Sequence, residues 1–164
     1  MQVENQDVNS DKAQPIAGKR KIYVASSWRC ALQPETVRQL REAGHEVYDF
    51  RAPHFGKRGT GFSWAEIDPE WQKWSAATFR EALSNPIATH GLAADLAGLW
   101  WSDTLVLVQP CGRSSHLELG WAIGSGRRVA VLLAEGQEPE LMLGLAHKLA
   151  LDMPELLAWL GATP

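Results

Sequence analysis

Three short apolar runs constrain this chain more than anything else in it: KIYVA at 21–25, DTLVLVQ at 103–109 and RVAVLL at 128–133. Each has the length of one strand and is apolar through its interior, with no alternation of polar residues. That is the signature of a strand buried on both faces, as in a parallel sheet covered by helices. Between the first run and a second strand, EVYDF at 46–50, lies PETVRQLREAG, with Pro34 in its first turn and Gly44 at its end. Val37, Leu40 and Ala43 fall on one face of that helix, so the unit has the dimensions of a right-handed βαβ crossover. Further helices are expected at 75–83, at 89–101 with Leu92, Leu96 and Leu99 inward, and from Ser114 or Ser115 to 124–126. The tail reads as two short helices, 139–149 and 154–160. The pattern predicts an α/β fold, an open and mainly parallel flavodoxin-like or Rossmann-like sheet of 4–5 strands. Helices cover both faces, and the expected order is 2-1-3-4 with room for one added strand.

The length of 164 residues fits one domain, read as 19–164, after a polar leader at 1–18 with too little apolar surface to fold. Sixteen basic against nineteen acidic residues give a net charge of −3, which argues against a binder of nucleic acid polymers. No apolar run is long enough for a membrane span, and the first twenty residues lack the apolar stretch of a secretory signal. Cys30 and Cys111 form neither a zinc spacing nor a disulfide scaffold, so a reducing cytoplasm is the expected compartment. One segment breaks the rhythm. Residues 51–74 hold three glycines and two prolines among aromatic residues, and are read as a structured, Trp-rich lid inserted in the domain.

In such a sheet, ligands sit outside the carboxyl ends of the strands where the strand order reverses. That nominates Ser26, Ser27, Trp28 and Arg29 after the first strand, and Gly112, Arg113, Ser114 and Ser115 after the third. The second loop runs into a helix N-terminus, whose free N–H groups favour an anion. Glu118, one turn into that helix, has two readings. With Ser115 it fits a capping box; alternatively its carboxylate faces a bound sugar as a nucleophile. Asp95 is either an ordinary surface residue or the acid that meets the departing group. Trp28, Phe62 and Trp64 could stack on a flat base, whereas Trp100 and Trp159 are expected in packing. No histidine pair has metal-ligand spacing, so no metal site is expected.

Together KIYVASSWR, DLAGLWWSD and above all HLELGWAIGSGRRVAVLL resemble the nucleoside 2-deoxyribosyltransferase family, which includes the nucleoside 5′-monophosphate N-glycosidases. The resemblance implies that Glu118 is the nucleophile, Asp95 the acid at the base, and Tyr23 the tyrosine that orients the nucleophile. It implies cleavage or transfer of the N-glycosidic bond of a nucleoside or nucleotide, with no cofactor, in a homodimer or larger assembly. Gly112 departs from the family, which has Asp or Ser six residues before the nucleophile, and the segment 51–74 looks longer than usual. These departures favour one alternative, a nucleotide sensor without turnover; a third reading, an NAD-cleaving glycohydrolase of the same broad architecture, would also use a glutamate beside a ribose. The leucines of 141–149 and 156–157 offer apolar faces for self-association or for closing the core.

Overall fold

The computed structural model describes residues 18–55 and 60–161. The expected leader lies outside the described residues apart from Gly18, as do 56–59 of the expected insertion. Five parallel strands form one sheet: β1 Lys21–Ala25, β2 Glu46–Asp49, β3 Thr104–Val108, β4 Arg128–Leu132 and β5 Lys148–Ala150, in the order β2-β1-β3-β4-β5. The helices are α1 Gln33–Glu42, α2 Ala76–Ala82, α3 Pro86–Trp101, α4 Arg113–Gly124 and α5 Met153–Leu160. The sheet reverses its winding between β1 and β3, which pair directly, with Tyr23 beside Leu105.

Alternation along the strands divides the core into two layers. Ile22, Val24 and Val47 point to one face, where Leu40 of α1 and Leu156 and Leu160 of α5 cover them. Tyr23, Ala25 and Tyr48 point to the other, beneath Leu99 of α3 and Leu119 of α4.

The inward face of α3 differs from expectation. Leu99 is buried, but Leu92 and Leu96 are exposed, and so is Trp100. The face that meets the sheet carries Ala88, Gly91 and Gly98 instead. The reason is below the helix: a Cβ built on Gly98 would lie 2.8 Å from the Tyr48 ring. Two large tyrosines rise from the strands, so the helix above must be nearly bare, and its leucines turn outward.

The tail departs too. Instead of a helix over 139–149 there is a 3-10 turn, Leu141–Leu145, followed by β5. Pro139 and Gly144 weaken a helix there, and β4 would otherwise leave an open edge of backbone groups. Two bonds show the edge being closed: Leu133 N–H donates to Ala150 O at 2.9 Å and His147 N–H to Val129 O at 3.0 Å. The last helix is capped by Asp152, which accepts from Glu155 N–H at 2.8 Å, and its Leu156 closes the core within the chain.

Candidate active site

Two tyrosines organise the site. Tyr23 of β1 and Tyr48 of β2 are neighbours in register, and their rings stack with centroids 5.0 Å apart. Each hydroxyl reaches one carboxylate on a helix above. Tyr23 donates to Glu118 Oε1 of α4 at 3.0 Å, and Tyr48 donates to Asp95 Oδ1 of α3 at 2.9 Å. The two candidate acids are therefore held side by side on a rigid aromatic platform.

Glu118 is not a capping residue here. The residue that caps α4 is Gly112, and Ser115 spends its hydroxyl on Ser26 O at 2.7 Å, tying the helix to the end of β1. Asp95 is not a surface aspartate either. It lies four residues after Gly91 and three before Gly98, on the bare face of α3 that packs on Tyr48.

Burial shapes the electrostatics. Removal from water raises Glu118 from an ordinary 4.5 to about 8, with the negative charge of Asp95 adding to it and the Tyr23 hydrogen bond opposing. Asp95 is raised to about 6, again by burial, against the Tyr48 hydrogen bond. Burial and then the Glu118 charge push the Tyr23 hydroxyl well up, so it stays a donor. Near neutral pH the pair thus keeps about one proton between them, a coupled arrangement.

A cavity of about 260 Å³ adjoins Asp95. Phe50, Pro53 and Phe55 after β2 form one wall, Gly91 and Ala94 of α3 another, and Phe62 closes it. Glu118 is not among its walls, so the cavity belongs to the Asp95 side of the site. The residues around 60–83 make an aromatic cluster in which Trp64 meets Phe62, Trp74 and Phe79 edge-on, at 4.7, 5.5 and 5.7 Å. Ser63 starts its first turn with a capping box to Glu66.

Of the other residues singled out in the sequence, Trp28 is engaged as a bracket. Its indole donates to Phe62 O at 3.2 Å, and its ring lies 2.6 Å from where a Cβ on Gly61 would be. Trp64 stands in the lid cluster, outside the cavity wall. Ser26 donates to Val108 O, and Ser27 accepts from Arg29 N–H. Arg29, Arg113 and Ser114 are exposed around the start of α4, where no side chain caps the helix. A Cβ on Gly112 would meet nothing within 4 Å, so packing does not demand glycine there.

Two positions that shape the candidate site are absent from the sequence reading. Tyr48, which holds Asp95, looked like an ordinary strand aromatic; its place beside Tyr23 in two adjacent parallel strands was the available signal. Arg51 donates to the carbonyls of Ser27, Trp28 and Cys30 at 3.1, 2.9 and 3.0 Å, moulding the loop after β1. Nothing local in the sequence announces that role. Among the described residues no group of three or more His, Cys, Asp or Glu side chains could hold a metal.

No protein-family model matches the chain, and no curated protein sequence does. Solved structures do. A 2-deoxyribosyltransferase from Bacillus psychrosaccharolyticus is 22% identical with a TM-score of 0.54, over 87% of this chain and 97% of that one. A CMP N-glycosidase from Clostridium botulinum follows at 17% identity and a TM-score of 0.44, over 84% and 95%. A conserved protein from Enterococcus faecalis V583 is 14% identical with a TM-score of 0.45, over 87% of both chains. The chain thus shares the fold of that 2-deoxyribosyltransferase.

Proposed function

We propose that the protein breaks the N-glycosidic bond of a nucleoside or nucleoside 5′-monophosphate, passing the sugar to water or to a second base. The observation that carries this reading is the tyrosine-held pair of half-buried carboxyls, Glu118 and Asp95. In the first step the ionised Glu118 attacks C1′ while the bond from C1′ to the base nitrogen breaks. In the empty site the pair's one proton rests on Glu118, the group with the higher value; in the reacting complex it lies on Asp95, which gives it to the leaving base as Glu118 attacks. Water or a new base then displaces Glu118 from C1′, so configuration is retained overall. The base enters the cavity beside Asp95, and the sugar spans the gap to Glu118. Arg29, Arg113 and Ser114, with the uncapped start of α4, suit a 5′-phosphate. The mechanism requires neither metal nor organic cofactor.

The one-proton state of the pair exists between about 6 and about 8. kcat/KM for base release should therefore be bell-shaped in pH, with its limbs near those values. The decisive test is base release from a panel of nucleosides and their 5′-monophosphates. No release from any of them, with ligand binding intact, would favour the nucleotide sensor instead, a reading supported by the bare Gly112. Self-association is also proposed, through the exposed Leu92, Leu96 and Trp100 of α3 and Leu117 of α4. A monomer in sedimentation at micromolar concentration would remove it.

A further inference from the structure

The cavity beside Asp95 has a chemistry of its own. Eight of the eleven residues around it bring no polar side-chain atom, and the other three are Thr60, His90 and Asp95. Thr60 and His90 are exposed, whereas Asp95 is half-buried, which makes it the most sheltered polar side chain of the walls. Its Oδ1 already accepts from Tyr48, which leaves one carboxyl oxygen for a guest. Size narrows the guest further: about 260 Å³ is below the ~300–1,000 Å³ of pockets that enclose a drug-sized ligand. A single heterocycle fits within this cavity.

The closing wall is Phe62. It can stand there because α3 has no side chain at position 91: a Cβ on Gly91 would lie 2.7 Å from Phe62 Cβ and 2.8 Å from Cγ. Those are the root atoms of the ring, not its far end, so the fit depends on the glycine. The backbone at Phe62 is fixed as well, since its carbonyl accepts from the Trp28 indole and Gly61 is wedged against Phe50 O and the Trp28 ring. A wall this firmly seated imposes its character on what it touches.

Resting on the function proposed above, we infer that Phe62 is a specificity-determining residue: it makes the cavity select heterocyclic bases by a hydrocarbon-substituted edge. A methyl group on the ring meets apolar walls and gains their burial. A bare ring leaves that space unfilled, and an amino or oxo group placed there finds no partner. One ring edge turns to Asp95, and the alkylated edge turns to Phe62.

The test uses the full chain and free bases, so that it reads the cavity without needing catalysis. Thymine and uracil differ by one ring methyl, and ligand-observed NMR titration measures both in the millimolar range. Thymine should bind about tenfold more tightly, the low end of what a hydrophobic pocket draws from one added carbon. In Phe62→Ala the preference should vanish, and in Phe62→Leu most of it should return. A residue with only a structural role would weaken both bases alike and leave their ratio unchanged; that result overturns the inference. So does equal binding, or no binding, by the wild-type chain. Base release from thymidine is measured separately: a preserved thymine preference without release would sink the glycosidic reading and spare the cavity assignment.

Discussion

The two faces of the sheet are built from the same strands and do different things. On one side, Ile22, Val24 and Val47 meet α1 and α5 in a core made mostly of aliphatic side chains. On the other, one residue along each strand, Tyr23 and Tyr48 carry hydroxyls up to two carboxyls that burial has moved far from their ordinary values. The pleat gives this separation at no extra length of chain, because successive side chains alternate. The first face supplies stability, and it leaves the second free to hold groups that a stable core would exclude. The helices show the same contrast. α1 buries Val37 and Leu40, whereas α3 meets the tyrosines with glycine and alanine.

The sharpest way to break that comparison is Glu118→Gln. It keeps the shape and the Tyr23 contact but removes the proposed nucleophile, so base release should fall by at least ~10³-fold. Circular dichroism should show the fold unchanged. Retained turnover in this variant would separate the polar face from the proposed chemistry. The mirror experiment is Leu156→Ala on the hydrocarbon face, where the side chain is fully buried. Chemical denaturation should register a loss of ~2–5 kcal/mol, while kcat per folded molecule stays as it was. If kcat falls with stability, the two faces are not independent.

The sheet order and the strand ends were legible in the sequence because each strand is an unbroken apolar run between breakers. Glu118, Asp95 and Tyr23 were legible as types at positions, and the resemblance implied the Tyr23–Glu118 contact, yet what holds Asp95 was not legible. Tyr48 acts by standing beside Tyr23 in register, and register is a property of two strands that meet only after folding. The same gap explains the error over α3. Leu92 and Leu96 look like a core stripe, and the glycines look like defects, until the tyrosine rings beneath them are in place. β5 escaped because a three-residue strand at a sheet edge has too short a pattern to read, and its reason for existing is the open side of β4. Arg51 bonds to carbonyls up to 24 residues away, a contact with no local trace.

A smaller change sharpens the comparison within the polar face. Tyr23→Phe removes a hydroxyl and no volume, so the stacked pair survives while Glu118 loses its donor. A hydrogen bond to a charged group is worth ~1.5–3 kcal/mol, so kcat/KM should drop roughly 10–100-fold with little change in KM. Because that hydrogen bond holds the Glu118 value down, the upper limb of the pH profile should also move to higher pH. A drop in rate without that movement would mean that Tyr23 acts through packing instead.

The smallest expected effect is the most direct reading of what the polar face costs. Glu118 folds with its value raised from 4.5 to about 8, so between those values the folded chain keeps a proton that the unfolded chain has released. Stability tied to such a group is fully present below 4.5 and is lost as pH rises through about 8. Asp95 behaves likewise but only up to about 6. Buried His45 works in the opposite sense: burial, and then Arg20, lower its value from 6.5, so its contribution is lost as pH falls below that point. Between 6.5 and about 8, therefore, Glu118 acts with the least interference. One proton corresponds to a slope of about 1.4 kcal/mol per pH unit, which denaturation at a series of pH values can follow. Stability should decline across this window in the wild-type chain and stay level in Glu118→Gln, while Leu156→Ala should shift the whole curve down and leave its slope alone. A declining curve in Glu118→Gln would place the proton elsewhere and erase the distinction between the faces.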